Sequence, residues 1–358
     1  MGRGRERLAR LRIASQRLHR PPAADDPAEI ARSMAGAQAQ EKRAGMLQFR
    51  ARGRGLTAEA VERARVEERS LVRGWLMRGT VHLVAAEDYR WMLALWSERH
   101  GRHARRRLAQ LGIPAAKQEL ALRVIEKALG DEEDVSRPEL VERLASAGVA
   151  LKAETRVHMM FLPVVEGLAC IGPDRGGSGS LVLADDWLGK GEERERESSL
   201  TELARRYLGA FAPATERDFA FWSGLPLREC RLGLEQIASE LVQLESGLLA
   251  LRASRPRAPR SPLVRLLGAF DTYLMGYASR ASAATEDAER RILPGGGVLR
   301  PTVCVDGRLI GLWASKRSAK RLAVTLEPFE PLADSVRDAI ATEVDDIGRF
   351  EGLSATLT

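Results

Sequence analysis

Apolar residues recur at helical spacing through most of this chain, and short alternating runs interrupt them at intervals. Asp26 can cap a helix opening at Pro27, where a missing N–H costs nothing; with Ile30 and Met34 on one face, it is expected over 28–39. Further helices are expected over 42–52 and, after the N-cap candidate Thr57, to about residue 68. Strands over 71–75 and 81–84 then flank a turn at Arg78-Gly79, and a long helix follows over 87–111. A second helical set is expected over 114–129, 137–147 and 155–170. Ser136 and Glu139 supply a capping box, Pro163 supplies a bend, and strands over 169–172 and 181–183 flank the glycine-rich 176–179. A third set covers 200–211, a short helix capped by Thr215 with Asp218, and 227–239; strands over 241–244 and 248–252 turn at Gly247.

Three helices followed by a two-stranded wing is the winged form of helix-turn-helix, so the pattern predicts three such units in tandem. Past the basic, proline-rich 255–262 the periodicity changes to short strands (263–270, 303–305, 309–313, 322–326) around the Asp306-Gly307 turn. These predict a small β-barrel-like domain or a curled sheet. Residues 278–291 read as a loop or short helix, 332–350 as a closing helix, and the tail as fraying. The expected fold class is mainly α with small β elements. The expected domains are 1–112 (a basic arm and the first winged helix), 113–189, 190–260 and 261–358, with Pro21-Pro22 breaking the arm from the body and a charged linker over 190–197.

A chain of 358 residues exceeds one small domain. Its 44% hydrophobic and 29% charged content is that of an ordinary soluble protein. No apolar run nears the roughly eighteen residues of a membrane span, and the Arg-rich start lacks the apolar core of a secretory signal. Three cysteines without paired spacing, five histidines and no H-E-x-x-H argue against disulfides, metal and cofactor, and suit a cytoplasmic protein. The net charge of +7 favours a polyanionic partner. Arg3, Arg5, Arg7, Arg10, Arg12, Arg17 and Arg20 face the single acid Glu6 near the start, as a solvated helix or as an arm on phosphates. The densest basic cluster lies in the helix expected over 87–111: Arg99, Arg102, His103, Arg106 and Arg107 share a helical stripe, with His100 and Arg105 beside it. That stripe is expected to track phosphates. The third helix of the first unit, the usual groove reader, carries Glu59, Glu62, Glu67 and Glu68, which phosphates would repel. A scaffold rather than an operator reader is implied.

Gln38-Ala39-Gln40 is by itself an unremarkable pair of surface glutamines. Its setting is specific. The runs 35–44 and 71–89, with Phe270-Asp271-Thr272-Tyr273-Leu274-Met275-Gly276-Tyr277 and Pro301-Thr302-Val303-Cys304-Val305-Asp306-Gly307-Arg308, resemble in order and separation the winged-helix family of AlkZ-type DNA glycosylases. Members excise bulky N7-alkylated guanines, some as interstrand crosslinks. The resemblance implies a double-stranded DNA partner carrying alkylated guanine, no membrane and no obligate protein partner. It also implies a C-shaped arrangement of the winged helices, because a crosslinked base cannot be flipped into a pocket.

The implied chemistry is simple. N7-alkylguanine already carries positive charge, so it leaves neutral and needs no acid. A metal-independent, monofunctional glycosylase then has to place a water and stabilise an oxocarbenium-like sugar, which carboxamide dipoles can do. By resemblance, Gln38 orients the water and Gln40 holds it and the sugar. Asp271 is a candidate to orient a glutamine or the sugar cation. His82, which alternates outward on its strand, reads equally as a buried, hydrogen-bonded structural histidine or as catalytic support touching sugar or phosphate beside the lesion, and Arg78, expected at an outward wing tip, is a candidate for DNA contact. The competing reading is a non-catalytic winged-helix DNA-binding protein or transcriptional regulator.

Overall fold

The structure, a computed structural model, describes residues 2–20, 25–175, 177–191, 194–259 and 262–358. Pro21, Pro22, Gly176 and parts of the stretches 190–197 and 255–262 lie outside the described residues. The chain is mainly helical with small β elements. It gathers into two compact units that do not follow chain order: one joins 1–62 to 200–358, the other is 63–199. No helix among the described residues is long and apolar enough to cross a membrane.

In the first unit, helix Arg3–Ser15 buries Ala9 and Ile13 and also Arg12. The Arg12 guanidinium lies 3.6 Å over the Tyr277 ring, donates to the Pro213 carbonyl at 3.2 Å and pairs with Asp218 at 3.5 Å. This arginine therefore docks the arm, whereas Arg3, Arg5 and Arg7 remain exposed. Helix Pro27–Ser33 is capped by Asp26, and helix Lys42–Arg52 lies next in the unit. Helices Arg196–Phe211, Glu216–Ser223 and Leu227–Gln236 and the hairpin Leu241–Gln243 with Leu249–Leu251 reproduce the third expected set; Thr215 and Asp218 form a complete capping box.

The C-terminal strands form one five-stranded sheet. Its order is Ser354–Leu357, Arg321–Pro328, Arg308–Arg317, Thr302–Val305, Val264–Leu267. Two expectations are corrected. The tail does not fray but adds a parallel edge strand, Leu322 pairing with Ala355. The sheet keeps two edges and is open rather than barrel-like, with helix Asp334–Glu351 packed on both edge strands. Charge fixes that helix. Fully buried Arg50 reaches Glu343 at 3.1 Å and Asp346 at 3.0 Å, while Arg20 reaches the same carboxylates at 3.0 and 2.7 Å. Burial would raise the Glu343 carboxyl, but Arg50, Arg20 and Arg265 outweigh it and hold it below its ordinary value.

In the second unit, strands Leu71–Trp75 and Val81–Ala85 pair antiparallel, and helix Ala86–Gln110 follows without a break. Helices Ala115–Asp131, Arg137–Ser146 and Ala153–Val165 precede the hairpin Ala169–Arg175 with Ser178–Leu183, the second expected set. The Ser136–Glu139 capping box is complete. The two hairpins join where Arg73 pairs with Ile171. Beneath them lies one core that includes Trp75, Leu108, Ile125, Leu140, Leu144, Leu162 and Leu181.

Candidate active site

The helix expected over 28–39 ends six residues early, at Ser33. The Gly36 N–H donates to the Ala31 carbonyl and the Ala35 N–H to the Arg32 carbonyl, both at 3.0 Å, which completes a Schellman stop. Ala35 holds a left-handed φ of 50° where glycine is usual, and Gly36 has φ 99°. The chain leaves this turn extended, so Gln38 sits on the short strand Ala37–Gln38 and not on a helix end. Gln38 is only 6% exposed and Ala39 is fully buried, whereas Gln40 is exposed. One amide is thus embedded and the other presented.

The segment is held tightly from behind. A Cβ on Gly45 would fall 2.6 Å from the Ala39 Cβ, so the backbones of Gln38-Ala39-Gln40 and helix Lys42–Arg52 approach as only glycine allows. One turn on, fully buried Gln48 donates through Nε2 to the Gln38 carbonyl at 2.8 Å and accepts from the Thr272 N–H at 3.1 Å. Another turn on, Arg52 makes a two-pronged contact with Asp271 at 3.0 and 2.8 Å, both side chains being fully buried. Arg52 also donates to Thr272 Oγ1 and Gln16 Oε1. Asp271 caps helix Thr272–Met275 by accepting from the Tyr273 N–H at 2.8 Å. Asp271 therefore belongs to the scaffold behind Gln38 and cannot itself reach a sugar cation from full burial. Gly45, Gln48 and Arg52 were missed by sequence reasoning. Their one legible signal is polar residues and a glycine on the buried side of an amphipathic helix, four and three positions apart.

Two expectations in the second unit need correction. Arg78 and Gly79 do form the expected turn, with φ 55° and 70° and the Thr80 N–H closing on the Met77 carbonyl at 3.1 Å. Arg78, however, is half-buried, and burial lowers its guanidinium to about 10. His82 faces inward and is 2% exposed, with Nδ1 at 2.9 Å from the Thr80 carbonyl. Burial first, and then Arg78, pushes it down to about 3, against which the Thr80 contact acts weakly. It is a neutral, satisfied core histidine. His100, in the long helix, contacts the Leu76 carbonyl at 3.1 Å and so packs under the same turn.

The basic stripe is mostly at the surface. Arg99, Arg102, His103, Arg106 and Arg107 are exposed along helix Ala86–Gln110. Arg105 is not part of it: Glu166 and Glu119 hold it in ion pairs, Glu166 at 2.6 Å, and raise its pKa further. Those acids lie in helix Ala115–Asp131 and just past helix Ala153–Val165, which the local sequence could not reveal. His158, beside Arg107 and His103, extends the patch onto helix Ala153–Val165. In the first unit, the turn between strands Arg308–Arg317 and Arg321–Pro328 exposes Lys316, Arg317, Lys320 and Arg321, a second basic surface outside the stripe.

Exposed basic surfaces and a presented carboxamide suit a polyanionic partner, and comparison makes the class explicit. Residues 31–350 match the AlkZ-like DNA glycosylase family, and the chain belongs to it. Among its relatives is the interstrand DNA cross-link repair glycosylase of Streptomyces sahachiroi, 26% identical over 361 residues that span 93% of this chain and 92% of that one. The solved structure of Streptomyces sahachiroi DNA glycosylase AlkZ shares the fold, with a TM-score of 0.80 at 22% identity over 99% of each chain.

Proposed function

We propose that this protein is a metal-independent, monofunctional DNA glycosylase that hydrolyses the N-glycosidic bond of bulky N7-alkylguanines in duplex DNA, interstrand crosslinks included. Its four modules, three winged helices and a C-terminal domain, carry the residues in the order 1–112, 113–189, 190–260 and 261–358. Gln38 orients the attacking water and Gln40 holds that water and the developing sugar cation. Neutral dipoles suffice because the cationic base departs uncharged. Arg99, Arg102, His103, Arg106 and Arg107, with the exposed basic turn at 316–321, contact phosphates. Binding of such a surface falls as salt rises.

The observation that best supports this reading is the division of labour within Gln38-Ala39-Gln40: an embedded amide, a buried spacer and an exposed amide. Preorganisation of that kind gives a dipole catalytic value, and loss of one such dipole costs about 100- to 1000-fold in rate. The test is single-turnover excision from duplex DNA alkylated at guanine N7, read as strand breaks after hot alkali. Gln40→Ala is expected to slow excision at least about 100-fold. Wild-type rates in both Gln38→Ala and Gln40→Ala would refute the assignment, and a salt-sensitive gel shift with no breaks would favour the regulator reading.

A further inference from the structure

We infer that Gln48 is a positioning residue for the excision reaction, acting through the Gln38 backbone; this rests on the proposed roles of Gln38 and Gln40. Gln48 is 0% exposed, and a carboxamide is hidden at that depth only if its donors and acceptor are all used. Here they bridge two segments far apart in sequence. The Nε2 group donates to the Gln38 carbonyl at 2.8 Å and toward the Phe270 carbonyl at 3.4 Å, and Oε1 accepts from the Thr272 N–H at 3.1 Å. The far end of the bridge is rigid, because Thr272 follows Asp271, which Arg52 holds from the same helix as Gln48.

The near end has few alternatives. The Gln38 carbonyl lies between a helix it nearly touches, at Gly45, and a chain that has just left the strained Ala35-Gly36 turn. Gln48 therefore registers Gln38-Ala39-Gln40 against the Asp271–Arg52 pair. It sets the direction of both catalytic amides without touching substrate. Such a role is distinct from plain stability: it acts only through Gln38, and it bears on the chemical step rather than on DNA affinity. A positioning error of about 1 Å is enough to cost on the order of 100-fold.

The experiment is a double-mutant cycle. Single-turnover excision of N7-alkylated duplex DNA is measured with saturating full-length enzyme, below the onset of thermal unfolding of every variant. Gln48→Met keeps the side-chain length and removes the bridge. It should lower the rate at least tenfold, leave the dissociation constant for the duplex within twofold, and cost less in a Gln38→Ala background, where Gln40 is the one amide left to misplace. Gly45→Ala keeps Gln48 but presses on the Ala39 Cβ and backbone beside the Gln38 carbonyl, so it gives a second reading of the segment's register if Gln48→Met does not fold, with the same expected pattern. A wild-type rate in folded Gln48→Met, or in Gly45→Ala where that stands in for it, overturns the positioning role, as does a loss that adds fully to that of Gln38→Ala. A wild-type rate in Gln38→Ala itself overturns the functional reading along with it, which separates the two failures.

Discussion

Two polar motifs from the same family-matched text, Gln38–Gln40 in the first unit and Arg78–His82 in the second, end their hydrogen bonds in different places. His82 closes on a carbonyl two residues away and stays inside its own hairpin. Gln38 is tied through Gln48, Arg52 and Asp271 to a segment more than two hundred residues on, and two residues along the chain from it stands the exposed Gln40. Burial by itself therefore does not mark function. What separates the two is whether the buried network supports something that faces outward.

Asp271 is where the Gln38 network is most vulnerable. Asp271→Ala leaves the Arg52 guanidinium buried without its carboxylate and should destabilise the protein by about 3–5 kcal/mol in chemical denaturation. A loss below about 1 kcal/mol, no more than an ordinary hydrogen bond, would mean that the network is no more consequential than the hairpin's.

His82 tests the other side through pH. Its folded pKa of about 3 lies below the ordinary 6.5, so the unfolded chain binds a proton that the native state refuses. The stability this histidine contributes is fully present above pH 6.5 and is lost as pH falls toward 3, by about 1.4 kcal/mol per pH unit. Glu343 acts in the same direction only from its ordinary 4.5 downward. His82→Gln should flatten the pH 6.5–4.5 limb of the denaturation curve while leaving excision at neutral pH unchanged. A slope identical to wild type would show that His82 is not buried neutral.

The smallest effects are expected on the basic stripe. The double reversal Arg106→Glu with Arg107→Glu should reduce the slope of log affinity against log salt by about 0.9 for each phosphate no longer neutralised. Arg105→Ala should leave that slope unchanged, because Glu166 and Glu119 already neutralise this arginine. If Arg105→Ala flattens the slope as much as the double reversal, its ion pairs open when DNA binds.

How much was legible depended on distance along the chain. The capping boxes at Ser136 and Thr215 and the turn at Arg78-Gly79 were readable because each is decided within four residues. The stop after Ser33 was not, since alanine at position 35 occupies a left-handed conformation that local preference assigns to glycine. The tail strand was missed because its partner, Arg321–Pro328, gives its reason to be ordered from some thirty residues away. Arginines defeated the sequence most thoroughly. Arg12, Arg50 and Arg52 are buried and Arg107 is exposed, and nothing in their immediate neighbours distinguishes them.

By itself the sequence determined the helical and strand periods, most caps and the family. These rest on local spacing or on text matched block by block. The tertiary structure alone decided that one glutamine is embedded and the other presented, that Asp271 serves as a strut, and that the two ends of the chain share a unit. Each depends on which distant groups meet, and a buried charge or amide is stable only beside the partner that folding brings to it.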